Sequence, residues 1–494
     1  MRIFNNSNSR RFKGGQIIIQ VIIFSSIAVL LIGSLISSAA ININSARHAQ
    51  VREQAFQLAE AGIEYYRWHL AHAPTDYQDG TGQPGPYIHD VNDKDGNLSG
   101  QFSLNVIPPY IGSTLVRLES TGIPANSPNT TRTIAVEMAV PSLAKFAVVA
   151  NSVMRLGQGT EVFGPIHSNG GIRFDGLAHN LVTSAQTVYD DPDHTGNNEF
   201  GVHTHVNIPP QTGINDTFRP LEAVPSPIMP RPDVFVAGRQ FPTPVTDFTS
   251  ITSDLAIIKS QAQTGGIYYG SSGYQGYLLI LRTNDTVDVY RVSSVTSPPY
   301  GCTSASQPGW GTWSVGTTQF IANHPMPANG LIFIEDHVWV EGKIDGQRVT
   351  IASGRFPDSP STRTSITVNN DLEYTDHGGT DVIALIAQDN INIGLVSDDD
   401  LRIDAALVAQ NGRVGRYYYR APSSGLQRCS PYHIRNSVVL YGMIATYNRY
   451  GFAYTDGTGY QLREINYDAN LLYGPPPSFP LTSEHYEILS WEEL

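Results

Sequence analysis

Histidines and carboxylates cluster in one polar stretch of the first half of the chain, "DDPDHTGNNEFGVHTHV". His203 and His205 are two residues apart, so on a strand both side chains would point to the same face. Further potential ligands precede them, namely Asp190, Asp191, Asp193 and His194. A metal site needs three or four convergent ligands, and a polar loop explains the same residues. We name Asp190, Asp193, His203 and His205 as candidate metal ligands and commit to no metal ion or other cofactor.

Three consecutive acids, Asp398 to Asp400, form the second group that could do chemistry. Some polysaccharide-cleaving enzymes use clustered acids. Consecutive residues do not share one face of a strand, however, so a solvated turn before "LRI" is the favoured interpretation. The sequence also contains no Gly-rich phosphate loop, no HExxH motif and no CxxC motif. We therefore expect that the protein is not an enzyme, and polysaccharide cleavage is the alternative.

The composition favours a turn-rich β protein. The 494 residues include 45 glycines, 32 prolines and 25 tyrosines. A net charge of −13 argues against nucleic acid as the main partner. The two cysteines, Cys302 and Cys429, form a disulfide or a pair of buried thiols, and the sequence does not decide between these.

The beginning of the sequence predicts a membrane anchor. The first 13 residues include the basic residues Arg2, Arg10, Arg11 and Lys13 and no acid. Gly14 and Gly15 follow, and an apolar run extends from Ile17 to Ile43. The basic segment would stay in the cytoplasm, and the run is long enough to span a bilayer. We predict a single span through residues 17–43, with the N-terminus inside.

The helix continues past the apolar run with a one-sided pattern. Phe56, Ala59, Ile63, Tyr66 and Leu70 are spaced by three or four residues, which is one face of an α-helix. Pro74 would end this helix. We therefore predict one helix over residues 16–72, apolar all round in its first half and one-sided in its second.

The basic leader ending in glycine, the long apolar helix and the segment "QAFQLAEAGIEYYRW" together resemble type IV pilin-like proteins, most closely the minor pilins of the PilX type. The resemblance covers roughly residues 10–72. It implies that a prepilin peptidase cuts between Gly15 and Gln16, and that the helix then moves from the membrane into a filament of similar subunits. It also implies that Phe56, Ala59, Ile63, Tyr66 and Leu70 dock the helix onto its own head.

One position departs from the family pattern. Most pilins carry a glutamate five residues into the mature chain, whereas this sequence has Gln20 there. Glutamine forms hydrogen bonds but cannot neutralise the buried amine of a neighbouring subunit. In the family, loss of this carboxylate goes with the tip subunit, so the resemblance favours a tip or initiating position.

The rest of the chain predicts mainly β structure. Three antiparallel strands are expected just after the helix, and short apolar runs with Gly, Asn and Asp corners favour a β-solenoid, with a β-sandwich as the alternative. The predicted segments are a leader (1–15), the helix (16–72), a small antiparallel β head (73–145), a first solenoid-like part (146–206), a Pro-rich connection with a short helix (207–265), a β insertion (266–328), and a second solenoid-like part with a C-terminal tail (329–494).

These observations predict a minor, tip or initiating type IV pilin-like subunit. It would begin as a single-pass protein of the cytoplasmic membrane and then join a surface filament that displays its β region. The expected partners are other pilin-like subunits and the prepilin peptidase, together with surface glycans or proteins of host or neighbouring cells as adhesion targets. The alternatives are a membrane-anchored, polysaccharide-active β-solenoid enzyme and a pseudopilin of a secretion or DNA-uptake machine.

Overall fold

The computed structural model describes residues 14–208, 217–248, 250–304, 306–483 and 485–494. Residues 1–13 of the predicted leader and residues 209–216 of the Pro-rich connection lie outside this part. The chain forms two compact units. The helix–sheet unit comprises Met1–Ile107, Arg117–Glu137 and Ile488–Leu494, and the parallel-strand unit comprises Pro108–Val116 and Met138–Glu487.

One helix dominates the helix–sheet unit. Helix α1 runs over Gly14–His72, and within the described residues it is the one helix long and apolar enough to cross a membrane. It ends two residues before Pro74, because a proline disfavours helical conformation in the residue before it. The predicted helix over 16–72 is present.

Five strands form the sheet of this unit. Four follow α1 in the chain, namely β1 (Tyr87–Asn92), β2 (Leu98–Ile107), β3 (Val116–Pro124) and β4 (Arg132–Ala139). The order is β1-β2-β3-β4, and the fifth strand, Glu487–Glu493, lies beside β4. The predicted head over 73–145 is therefore wrong at its C-terminal boundary, because residues 138–145 belong to the parallel-strand unit and residues 488–494 complete the head. The pairing of Glu487–Glu493 with β4 joins residues far apart in the sequence, so no local sequence pattern predicts it.

The parallel-strand unit consists mainly of short strands. In chain order, its strands are β5 (Val148–Ala150), β6 (Met154–Leu156), β7 (Thr160–Phe163), β8 (Ile166–Ser168), β9 (Ile172–Phe174), β10 (Leu177–Ala178), β11 (Val182–Ser184), β12 (Val188–Tyr189), β13 (Glu199–Phe200), β14 (Val202–His203), β15 (Arg239–Gln240), β16 (Ile267–Tyr269), β17 (Gly276–Arg282), β18 (Thr286–Val295), β19 (Val315–Pro325), β20 (Leu331–Ile334), β21 (Val338–Ile344), β22 (Arg348–Ser353), β23 (Ile366–Thr367), β24 (Leu372–Tyr374), β25 (Val382–Ala387), β26 (Ile391–Ile393), β27 (Asp400–Ala409), β28 (Val414–Arg416), β29 (Ile434–Thr446) and β30 (Gly459–Tyr467). The C-terminal strand of the helix–sheet unit, Glu487–Glu493, is numbered β31. The unit also contains helix α2 (Ser250–Gly265) and the 3-10 turns Pro220–Glu222 and Ala469–Leu471.

Parallel ladders organise these strands. In the longest ladder, one buried aliphatic side chain per strand lies in register with the next, and we call this set the aliphatic column: Ile267, Ile332, Ile351, Leu385, Leu407, Ile444, Val148, Ile166 and Val182. The column forms because parallel strands stack the same inward position above its counterpart. Turns between the strands need unusual backbone, as at Gly330, where φ is +65° and a Cβ would lie 2.3 Å from the Arg348 carbonyl oxygen.

The ladder corrects two predicted boundaries. Strand β29 pairs with β5, so the predicted separate parts 146–206 and 329–494 share one ladder. Within the predicted insertion 266–328, β16 pairs with β20 and β17 with β21, both in parallel. The part that departs from the parallel pattern is the antiparallel meander β17-β18-β19.

Candidate functional site

The first half of α1 has no apolar partner within the described chain. Sixteen large apolar side chains between Ile17 and Ile43 are 47–72 % exposed. The peptide bond between Gly15 and Gln16, the predicted cleavage position, lies in the first turn of the helix. Gln20 is exposed on the same half. This half of the helix therefore offers a surface suited to lipid or to other helices.

The second half of α1 is docked on the sheet of its own unit. Ala59, Ile63, Tyr66 and Leu70 are buried, as expected for a docking face. Phe56 is half-buried, with its ring 5.7 Å from that of Trp491 and the Arg132 guanidinium 4.8 Å from its centroid.

Sequence reasoning missed part of this face. Ala55 and Leu58 are also buried. Both lie one position before residues of the predicted face, so the same helical periodicity could have identified them. The helix approaches the sheet closely at Gly122, where a Cβ would lie 1.9 Å from the Ala55 carbonyl oxygen.

A second candidate site lies in the parallel-strand unit, around strands β12 to β14. Five side chains converge there, and we call them the histidine–carboxylate cluster: Asp191, His194, Glu199, His203 and His205. One potential ligand atom of each lies within 4.8 Å of that of every other. All five side chains are buried, the most exposed being His194 at 4 %.

The local structure explains this convergence. Strands β12 and β13 form an antiparallel hairpin whose connection carries Asp191 and His194, and β13 begins at Glu199. Strand β14 pairs in parallel with β9, which places His203 in register with Arg173. The backbone N–H of His205 donates a 2.8 Å hydrogen bond to Asp175, whose carboxylate also pairs with Arg173 at 2.7 Å.

Glu199 lies at the centre of the cluster. Its Oε2 is 2.9 Å from His194 Nε2 and 2.7 Å from His203 Nε2, and its Oε1 is 3.2 Å from His205 Nε2. Asp191 Oδ2 completes the group, at 3.4 Å from His194 Nε2 and 3.5 Å from His203 Nε2. Three imidazole nitrogens and two carboxylates thus surround one small volume.

Only two of the four predicted metal ligands belong to the histidine–carboxylate cluster. His203 and His205 belong to the cluster, but Asp190 is exposed, and Asp193 pairs instead with Arg155 at 3.1 Å and with Arg449. The neighbouring Asp191 takes the place in the cluster, and Glu199 was missed. Glu199 is separated from His203 and His205 by an even number of residues, and this two-residue periodicity could have identified it as a further ligand.

In the cluster, neighbouring groups of opposite charge stabilise the ionised forms of buried side chains. Burial opposes ionisation of Asp191, but His203 and Arg173 outweigh it and lower its pKa to about 2. Burial likewise disfavours ionised Glu199, yet hydrogen bonds from His203 and His205 lower its pKa well below the usual value. For His203, burial opposes protonation, and the two carboxylates nevertheless raise its pKa. Positive charge is therefore favoured at this point.

The other predicted residues have structural surroundings. Cys302 and Cys429 form a disulfide, packed with Leu395, Tyr417 and Tyr419. Asp399 pairs with Arg435. Asp400 accepts hydrogen bonds from Asn436 and Ser437, and so links the beginning of β27 to β29.

No protein-family model matches this chain, and no curated protein matches it. Among solved structures, it is similar to a crystal structure of the competence-associated pilin ComZ from Thermus thermophilus. The identity is 11 %, the match covers 89 % of this chain and 97 % of that chain, and the TM-score is 0.28. These values are too low to carry an argument about function.

Proposed function

We propose that this chain is a minor type IV pilin-like subunit of the PilX type, which assembles into a surface filament at its tip or initiating position. The observation that carries the proposal is the division of α1 into an exposed apolar half and a half docked on its own sheet. A subunit that moves from a membrane into a filament needs both, because one half must change neighbours while the other holds the head.

The exposed half requires an apolar environment outside the described chain. Burying one Ile, Leu or Phe side chain contributes about 1.5–3 kcal/mol. Sixteen exposed side chains of this kind would therefore leave tens of kcal/mol unrealised in water. Lipid supplies that environment first, with the N-terminus on the cytoplasmic side, and the helices of neighbouring subunits supply it in the filament.

The tip position rests on Gln20. A chain without a carboxylate at this position cannot neutralise the amine of a subunit above it, so it fits best where no such subunit exists. Gln20 is exposed on α1 and available to a neighbouring chain.

We also propose that the parallel-strand unit is a β-solenoid that displays an adhesive surface. The aliphatic column and the parallel register of its strands support the solenoid over the antiparallel sandwich. Exposed aromatic side chains around the antiparallel meander fit contacts with glycans or proteins, namely Tyr274, Tyr300 and Phe320.

A non-enzymatic role is part of the proposal. Two of the three acids that favoured polysaccharide cleavage are engaged in structural contacts, since Asp399 pairs with Arg435 and Asp400 accepts from Asn436 and Ser437. An ion pair and hydrogen bonds that fix a strand end leave these carboxylates poorly placed to act as acid and base on a substrate.

The test is the N-terminal sequence of the mature protein and its presence in sheared surface filaments, measured for the unmodified chain and for Gly15→Leu. We expect a mature chain that begins at Gln16, and loss of both cleavage and filament association in the variant. Gly33→Leu is the matched control for cleavage, because it makes the same change elsewhere in the helix, where a Cβ meets no atom within 4 Å.

Other outcomes would favour the alternatives. A mature chain that is uncut, or that begins beyond Ala40, would overturn the pilin-like proposal. An anchored chain that depolymerises an acidic polysaccharide, and stops doing so in Asp399→Asn, would favour the enzyme. Correct cleavage with no filament, but with loss of secretion or DNA uptake in the absence of the protein, would favour the pseudopilin.

A further inference from the structure

We infer that the histidine–carboxylate cluster binds one divalent transition-metal ion, with zinc as the best match, and that this ion has a structural role. The inference is independent of the pilin-like function. It rests on the five side chains that converge between β12 and β14: Asp191, His194, Glu199, His203 and His205.

The distances within the cluster match those between ligands of one ion. Zinc binds imidazole nitrogen and carboxylate oxygen at about 2.0–2.2 Å, so two tetrahedral ligands lie roughly 3.4 Å apart. Asp191 Oδ2 is 3.4 Å from His194 Nε2 and 3.5 Å from His203 Nε2. Glu199 Oε2 is closer, at 2.7 Å from His203 Nε2 and 2.9 Å from His194 Nε2, and these distances correspond to a ligand–metal–ligand angle smaller than the tetrahedral one. The largest separation, 4.8 Å, requires only a slight closure of the ligands around an ion.

Two buried ligand atoms support the site independently of the clustering. Within the described part of the chain, Asp191 Oδ2 and His203 Nε2 are buried and make no hydrogen bond of good geometry, although His203 Nε2 lies 2.7 Å from Glu199 Oε2. Both are directed at the same volume, at 3.5 Å from each other. Leaving such groups unmatched in a protein interior costs free energy, and a single cation would satisfy both at once.

The charges point the same way. Glu199 pairs with three histidines, which are neutral unless protonated. Arg173 lies 3.7 Å from Asp191, and that guanidinium is shared with Asp175 at 2.7 Å. A dication would balance the two carboxylates Asp191 and Glu199 and leave the histidines neutral, as metal binding requires.

The donor set selects the class of ion. Calcium and magnesium prefer oxygen ligands, whereas three imidazoles with two carboxylates suit zinc and its neighbours in the first transition series. No thiolate takes part, because both cysteines of the chain form the disulfide. The proposed ion is therefore held by nitrogen and oxygen alone.

Burial assigns the ion a structural role. Catalytic zinc keeps a coordination position open to water or substrate, whereas structural sites are closed. None of the five ligand side chains is more than 4 % exposed. The ion would join the β12–β13 hairpin to β14, and Glu199 extends the link because its Oε1 also accepts from the Arg219 N–H at 3.1 Å.

The experiment uses the full-length chain purified in detergent, stripped with a chelator and reloaded with Zn²⁺. After desalting, elemental analysis should find one zinc per chain. Co²⁺ loaded instead should give the visible absorption bands of a low-symmetry site with nitrogen ligands, and Zn²⁺ should displace them while excess Ca²⁺ should not. This part needs no variant and is therefore unaffected by misfolding of mutants.

The variants then assign the ion to these residues. His203→Gln and Glu199→Gln should lose the zinc, and metal removal should lower the thermal unfolding temperature of the unmodified chain but not that of either variant. His167→Gln is the matched control, because His167 is a buried histidine of the same unit whose ring bonds to Thr183 and Asn169 rather than to carboxylates. It should keep one zinc per chain.

Several results would overturn the proposal. One is an unmodified, folded chain that retains no zinc after reloading, because the cluster would then be held by a protonated imidazole instead. Another is displacement of the bound Co²⁺ by Ca²⁺. The third is a folded His203→Gln protein that keeps its zinc, or a His167→Gln protein that loses it as fully, since the ion would then lie elsewhere.

Discussion

The two halves of α1 differ in what surrounds them, although they form one continuous helix. Between Ile17 and Ile43 the apolar side chains point in all directions and are exposed. From Ala55 to Leu70 most of them lie on one face, which is buried against the sheet of the same unit. Helical geometry is the same in both halves. The distribution of apolar residues therefore decides which half can be buried by packing within the chain itself.

This difference shows how one element can serve two environments. The docked half is fixed by packing within the chain, so its substitutions should change stability. The exposed half contributes nothing to packing within the described chain, so its substitutions should leave stability unchanged and act only on what surrounds the helix. The following predictions test this contrast.

The largest effect is expected for Ile63→Ala in the docked half. Ile63 is only 3 % exposed, and truncating such a side chain typically costs about 2–5 kcal/mol. The measurement is hydrogen–deuterium exchange of the full chain in detergent, detected by mass spectrometry. It gives the denaturant concentration at which the backbone amides of β3 begin to exchange. Ile32→Ala, at a 57 % exposed position, is the matched control and should leave this concentration unchanged. Equal losses in the two variants would contradict the contrast.

A smaller effect is expected for Gly122→Ala, where the helix packs closely on the sheet. A Cβ there would lie 1.9 Å from the Ala55 carbonyl oxygen and 2.6 Å from the Ala59 nitrogen, so the helix must move away. Overpacking of this kind typically costs about 1–3 kcal/mol. The same exchange experiment should show the loss in β2 and β3 alike.

Gly33→Ala provides the comparison for this glycine. A Cβ at Gly33 meets no atom within 4 Å, and alanine favours helix over glycine by about 1 kcal/mol. No destabilisation is therefore expected. A loss as large as that of Gly122→Ala would mean that the first half of the helix packs within the chain after all.

The smallest effect concerns the turn that follows the docked half. Asp76 accepts hydrogen bonds from the backbone N–H groups of Gln78 and Gly80 and pairs with His69 of α1, and these contacts lower its pKa despite some opposition from burial. A carboxyl whose pKa is lower in the folded state stabilises the protein above its unfolded pKa, and this stabilisation is lost as the pH falls through its folded pKa.

Asp76→Asn should therefore weaken β1 slightly at neutral pH and make no further difference well below pH ~4. The measurement is the denaturant concentration for exchange of β1 amides in the two proteins at both pH values. A difference between the proteins that grows on acidification would contradict the assigned role.

Much of the helix–sheet unit could be predicted from sequence. The spacing of Phe56, Ala59, Ile63, Tyr66 and Leu70 identifies the docked face, and Pro74 identifies the end of the helix. Both signals are local, because helical periodicity and proline stereochemistry act within a few residues. The pairing of β31 with β4 spans about 350 residues of chain, and no local pattern in Glu487–Glu493 indicates it.

The histidine–carboxylate cluster was predictable only in part. Alternation along a strand correctly placed His203 and His205 on one side, because two-residue periodicity is a local property. The choice between Asp190, Asp191 and Asp193 depended on the path of a loop, and the arginines that capture Asp193 come from positions 155 and 449. Sequence spacing holds no information about such distant partners.

The position of β31 has a consequence for how this protein could have arisen. Arg132 pairs with Glu493 and Glu137 accepts from Ser490, so β4 and β31 are antiparallel neighbours. The chain thus leaves the sheet at the end of β4 and returns beside it, at the strand spacing of about 4.8 Å, however many residues intervene. A sheet opened at such a point accepts a whole folded module whose ends lie close together. Recombination at these two strand ends could exchange the displayed module while the anchor and its docking face stay unchanged.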